Sequence, residues 1–80
     1  MRIDKFLKVS RIVKRRTIAK ELAENDRILI NGRMAKPATE VAVNDILEIT
    51  FGQKVLKIRV LELREFVRKD ESSMMYEIVE

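Results

Sequence analysis

The sequence predicts an α+β domain: two short N-terminal helices packed on a small, mostly antiparallel twisted sheet. Three observations predict it. Apolar residues near the N-terminus recur at three- and four-residue spacing, as a helix with one buried stripe requires. An Asn31-Gly32 pair separates two short runs, and both central residues of a tight hairpin turn need positive φ. Beyond it the apolar residues alternate, which is the period of a strand with one buried face. At 80 residues the chain makes one small domain, near the lower limit for folding without disulfides or metal.

The first helix is expected over Arg2–Ser10, with Ile3, Phe6 and Leu7 as its apolar stripe and Lys5 and Lys8 off it. Asp4 falls in the first turn, where a carboxylate complements the helix dipole and accepts backbone N–H groups. Arg11–Arg16 is a connector in which Ile12 and Val13 tuck inward while four cations splay out. Thr17 is the expected N-cap of a second helix that runs to about Asn25. Ile18 and Leu22, with Ala19 and Ala23, form its buried stripe, and Asn25-Asp26 ends it in the left-handed conformation.

The hairpin comes next, with Ile28 and Ile30 before the turn, Arg33–Lys36 after it and Pro37 as the stop. Glu40–Phe51 holds a turn at Asn44-Asp45 and then a strand with Leu47, Ile49 and Phe51 on one face. Gly52-Gln53 turns the chain into Lys54–Leu63, where Leu56, Ile58 and Val60 alternate with Lys57 and Arg59. Leu61 and Leu63 take the opposite phase, which predicts a bulge near Val60-Leu61. Arg64–Ser73 reads as a polar, mobile loop and Met75–Val79 as a closing edge strand. Residues 1–63 are thus the expected core of the domain, and 64–80 a loop and edge strand of the same domain.

Composition excludes several kinds of chemistry. The chain has no His and no Cys, which removes zinc ribbons and fingers, thiol nucleophiles and His-based proton transfer. It has neither a paired-acid site nor a glycine-rich phosphate loop. Its acids are scattered over caps, turns and faces. The expectation is a non-enzyme with no cofactor, no metal and no small-molecule substrate. No apolar run is long enough to span a membrane, and the charged start lacks the apolar core of a signal peptide. Absence of Cys fits a reducing, cytoplasmic setting.

Charge is segregated. The first twenty residues carry Arg2, Lys5, Lys8, Arg11, Lys14, Arg15, Arg16 and Lys20 against Asp4 alone, which is +7 in a chain of +4 and leaves −3 for the other sixty. A charge run is often only a solvated face. Here the cations fall on two adjacent helices and their connector, half of them are arginines able to fork onto phosphate, and local acids are nearly absent. That is the footprint of a polyanion site. If five or six of these side chains reach phosphates, counterion release predicts a log–log salt slope of about −4 to −5. The second helix lacks the Arg, Asn and Gln series of a major-groove reader. Phe6 is expected in the core and Tyr76 lies far from the cluster, so single-strand stacking has few aromatic groups. Recognition of structured RNA by shape and charge fits best. Arg33 and Lys36 flank the Asn31-Gly32 turn, which is expected to extend the basic surface onto the hairpin.

With these residues in hand, a resemblance is visible. Arg2-Ile3-Asp4-Lys5-Phe6-Leu7, then Lys14-Arg15-Arg16-Thr17-Ile18-Ala19-Lys20, then Arg27-Ile28-x-Ile30-Asn31-Gly32 and Lys36-Pro37, resembles the alpha-L RNA-binding motif. This is the domain named after the fourth protein of the small ribosomal subunit, and the match covers roughly residues 2 to 50. Length and the Lys-Arg-Arg-Thr block are most similar to the stand-alone, ribosome-associated quality control members of that family. The fifteen-kilodalton ribosome-associated heat-shock proteins are close relatives. The resemblance implies a factor on obstructed large ribosomal subunits that contacts ribosomal RNA and the P-site peptidyl-tRNA. It implies an RqcH-type tailing partner, which adds alanine to stalled chains, and no membrane partner. It implies that Arg2, Lys5, Lys8, Arg11, Lys14, Arg15, Arg16 and Lys20, with Asn31 and Lys36, hold RNA. Asp4 and Thr17 would cap or orient, Asp4 by holding Arg2 or a connector arginine. Many members have Ser-Arg where this chain has Arg15-Arg16, and Gly-Asp where it has Asn44-Asp45. The alternatives are a general ribosomal-RNA-binding heat-shock factor, an accessory RNA-binding subunit of an RNA-modifying enzyme, and a helix–turn–helix DNA regulator.

Overall fold

A computed structural model describes residues 1–80. Helix α1 spans Ile3–Val9 and helix α2 spans Arg16–Glu24. The strands are β1 (Ile28–Ile30), β2 (Arg33–Met34), β3 (Ile46–Phe51), β4 (Lys54–Val60) and β5 (Tyr76–Ile78), with a 3-10 helix over Lys69–Met74 before the last. They form one sheet in the order β2-β1-β3-β4-β5, and every neighbouring pair is antiparallel.

Helix α1 buries Ile3, Phe6 and Leu7 completely. Each such side chain withdrawn from water stabilises the fold by about 1.5–3 kcal/mol. The helix ends at Ser10, and Arg11 turns back in the left-handed region at φ 64°. Its N–H donates to the Lys8 carbonyl, and the Val13 N–H donates to that of Leu7. Two of the helix's last carbonyls are thereby satisfied. Val13 goes into the core and Ile12 is half-buried, while Arg11, Lys14, Arg15 and Arg16 are exposed.

The second helix departs from the expectation in two ways. Thr17 does not cap it: Arg15 occupies the N-cap in extended geometry without a side-chain hydrogen bond, and the helix starts at Arg16. Thr17 then lies within the first turn and is exposed. The buried face is Ala19 and Ala23, whereas Ile18 is 39% exposed and Leu22 lies half-buried at the rim. The reason is steric. Two alanines one turn apart let the backbones of α1 and α2 approach, and the larger side chains are displaced to the edge of the contact. The C-terminus follows the expected scheme, with Asp26 left-handed at φ 59°. The Asp26 N–H donates to the Ala23 carbonyl and the Arg27 N–H to that of Leu22, the paired bonds of a Schellman end.

The Asn31-Gly32 turn has φ 50° and 82°, and it closes β1 on β2 with Ile30 opposite Arg33. Leu47 and Ile49 of β3 and Ile58 and Val60 of β4 face the helices and are fully buried. Strand β4 stops at Val60 instead of running to Leu63. The N–H groups of Leu61 and Glu62 both donate to the Met75 carbonyl, two residues against one as in a bulge, and the chain leaves the sheet there. Over Arg64–Ser73, expected as a polar loop, the chain is mostly exposed but has one core anchor and a short helix. Val67 is buried, Lys69–Met74 is the 3-10 helix, and the Glu71 side chain accepts from the Arg68 N–H. Val67 and Met75 join the same apolar cluster as the helices and sheet, so residues 64–80 contribute to the core.

These positions separate in stability. Leu47→Ala, in the sealed centre of the sheet, is expected to cost about 2–5 kcal/mol, and Leu22→Ala at the half-buried rim about 1 kcal/mol. Urea denaturation of the two variants measures the difference, and equal losses would put Leu22 back in the core.

Candidate nucleic-acid interface

The interface is organised by one acid. Asp4 sits in the first turn of α1, and its side chain is only 3% exposed. Its Oδ1 accepts the Lys5 backbone N–H at 2.8 Å and Arg16 Nη2 at 3.2 Å, and its Oδ2 accepts Arg2 Nη2 at 3.0 Å. A buried carboxylate is tolerable only when its lone pairs are satisfied in this way. The cluster also explains where α2 begins, because Arg16 must stand at the head of the helix to reach Asp4.

Arg2 and Arg16 keep 45% and 47% of their side chains exposed, and each is bonded to Asp4 through one nitrogen. A guanidinium has five N–H donors, so both forks retain donors for a ligand while their positions are fixed. Around them is a shallow concavity lined by Arg2, Asp4, Arg16, Thr17 and Lys20, with no apolar side chain and a volume of about 290 Å³. Three cations against one acid give it a charge of +2. Thr17 thus lines this concavity instead of capping the helix. Fixed, planar, cationic forks beside a hydroxyl match phosphate oxygens.

The remaining predicted residues divide into two groups. Lys8, Arg11, Lys14, Arg15 and Lys20 are exposed, and none has a carboxylate within 4.0 Å. The others are partnered. Lys5 pairs with Glu65, and the Lys5 ammonium, by hydrogen bond and then by Coulomb attraction, holds the Glu65 carboxyl below its ordinary range. Lys36 stands 3.6 Å from Asp26. The Asn31 amide donates to Asp45 Oδ1 at 3.0 Å and accepts the Ile46 N–H at 2.9 Å, which ties the hairpin turn to the Asn44-Asp45 turn. The Asn31 side chain therefore braces the fold, with both ends of its amide engaged by the neighbouring turn. Glu65 is the partner that sequence reasoning missed. It lies sixty residues from Lys5, and no local pattern marks it.

Known proteins share this sequence and fold over most of its length. Residues 1–47 match the family model described as the S4 domain. The chain is 53% identical over 79 residues to the RQC P-site tRNA stabilizing factor of Streptococcus pneumoniae, covering 99% of this chain and 90% of that one. It is 51% identical over 79 residues to the protein of the same name from Bacillus subtilis, covering 99% and 92%. The structure of heat shock protein 15 from Vibrio cholerae superposes with a TM-score of 0.91 at 25% identity, over 99% of this chain and 81% of that one.

Two variants read the electrostatics. Asp4→Asn is expected to cost about 1–2 kcal/mol of stability, discounted because both arginines are half exposed. It should also weaken binding to a structured RNA at fixed salt, although it adds a positive charge. Tighter binding in a filter or anisotropy assay would reduce Asp4 to a counter-charge. Glu65→Gln releases Lys5 and should steepen the log–log salt slope by roughly 0.7–0.9, with little change in melting because the pair is exposed. The depressed Glu65 carboxyl stabilises the folded state above the unfolded carboxyl's pKa. That contribution is lost as pH falls through the folded value, so the wild type should approach the variant only in acid.

Proposed function

This chain belongs to the S4 domain family, and we propose that it is a non-catalytic RNA-binding factor of ribosome-associated quality control. It binds ribosomal RNA and the P-site tRNA on obstructed large ribosomal subunits, and so supports an RqcH-type partner in alanine tailing of the stalled chain. The observation that carries this reading is the Arg2–Asp4–Arg16 cluster, in which two half-exposed guanidiniums are held in place by one buried carboxylate. Around it stand five exposed cations without acidic partners on the same two helices and connector. Such a surface is built for sugar–phosphate backbone held by shape.

The partner assignment draws support from the near full-length relatives at 51–53% identity, whose name specifies the P-site tRNA. A second reading, a general ribosomal-RNA-binding heat-shock factor, has the likeness to the Vibrio cholerae heat shock protein behind it, at half that identity. The non-catalytic assignment rests on the absence of His and Cys from the chain and on an interface made of cations and one ion-paired acid.

Sedimentation of the tagged protein at low ionic strength tests the reading. Association with free large subunits carrying peptidyl-tRNA, and not with intact ribosomes, is expected; equal association with both would favour the heat-shock reading. Arg2→Ala and Arg16→Ala should each weaken that association while leaving melting nearly unchanged, because Asp4 keeps one arginine. The double variant strands a buried carboxylate and should lose about 1–3 kcal/mol.

A further inference from the structure

The surface beside Lys8 and Arg11 carries a group that phosphate binding does not explain. Phe66 is 77% exposed, more than any other large apolar side chain. It is not at the end of a loose segment. The residue before it, Glu65, is ion-paired to Lys5 of α1, and the residue after it, Val67, is buried in the core. These two neighbours bring Phe66 alongside the C-terminal end of α1. There Phe66 shares a cleft of about 180 Å³ with Lys8, Val9, Arg11, Glu65 and Val67. Lys8 and Arg11 are both exposed and without acidic partners. Arg11 also holds φ 64°, at a helix-end position where glycine is the unstrained choice.

An exposed aromatic ring flanked by two cations has the composition of a single-strand site, in which the ring takes a base and the cations take its phosphates. The cleft and the Arg2–Arg16 concavity share no lining residue, and α1 links them. Lys8 follows Asp4 and Lys5 on α1 by four and three residues, so the three share one side of the helix. Asp4 there faces Arg16, and Lys5 faces the segment that carries Phe66.

We propose that Phe66 is a stacking platform for an unpaired base of the bound RNA, with Lys8 and Arg11 holding the phosphates on either side of it. The inference rests on the RNA-binding reading above and names the feature that the RNA must carry: a nucleotide outside a helix, in a bulge, loop or single-stranded end, next to the paired region gripped by α1 and α2. Base-on-ring stacking tolerates any sequence, because every base has a π-face. Selection at this cleft is therefore for an unstacked base and not for a particular one.

The test uses three RNA probes: a blunt hairpin, the same hairpin with a short single-stranded overhang, and that overhang made abasic so that phosphates remain without bases. The full chain is expected to bind the natural overhang more tightly than the abasic one. Phe66→Ala should remove this preference, a loss of about 5- to 150-fold on the natural overhang, while leaving the blunt hairpin bound as before. The chain contains no Trp, so Phe66→Trp introduces a sole indole. It should restore the preference and show fluorescence quenching by the natural overhang only. If natural and abasic overhangs bind alike, or Phe66→Ala weakens every probe equally, the platform is disproved and the helix-pair grip stands. If no probe binds, both this inference and the RNA-binding reading fall.

Discussion

One buried carboxylate orders the basic half of this molecule. Asp4 is the only acid among the first twenty residues, and two arginines fourteen residues apart meet on it. Without it, Arg2 and Arg16 would repel one another across the α1–α2 contact, and neither guanidinium would have a fixed direction. With it, the trio keeps a net charge of +1 and two oriented sets of donors. The acid subtracts from the gross charge of the surface and adds to its order. For binding a stiff, folded polyanion the second effect is the larger, because long cationic side chains otherwise lose rotamer freedom on binding.

The alanine face of α2 makes that cluster possible. Ala19 and Ala23 are fully buried, so α2 lies close enough to α1 for the Arg16 guanidinium to reach Asp4. A larger residue at either position would hold the helices apart and break the bridge before it damaged the core. Packing and electrostatics are therefore one constraint here, and Ile18 and Leu22 are placed at the rim because small residues must occupy the centre.

Much of this was legible in the sequence, and the gaps have physical causes. Helix α1, the Asn31-Gly32 turn, the left-handed Asp26 and the alternation of β3 and β4 follow from local periodicity and backbone preference, which a single sequence carries. The order of burial on α2 was not legible, because hydrophobicity ranks Ile18 and Leu22 above Ala19 and Ala23, whereas close helix approach ranks them the other way. Thr17 had the right chemistry for a cap, but a long-range ion pair moved the helix start to Arg16. Arg64–Ser73 read as mobile because its anchors are single residues. Val67 in the core and Glu65 on Lys5 are contacts that no local pattern announces. Within the candidate site, the cationic residues were visible by type. Their division into exposed, shared and neutralised groups was not, since the acids that neutralise Lys5 and Lys36 come from elsewhere in the chain.

That division bears on why so small a domain carries strands beyond the helix pair. Two short helices with eight cations between them repel one another, and helices of seven and nine residues are marginal alone in water. The surface that suits a polyanion is thus one that destabilises its own scaffold. The sheet offsets this by burial: Leu47, Ile49, Ile58 and Val60 close over Ile3, Phe6 and Leu7, and the segment after β4 returns with Val67 and Met75. That segment also carries Glu65, the one acid it sets against the α1 cations. A counter-charge there, at the edge of the basic face, relieves repulsion among the α1 cations. The remaining charge stays unneutralised because neutralising it internally would remove the driving force for association.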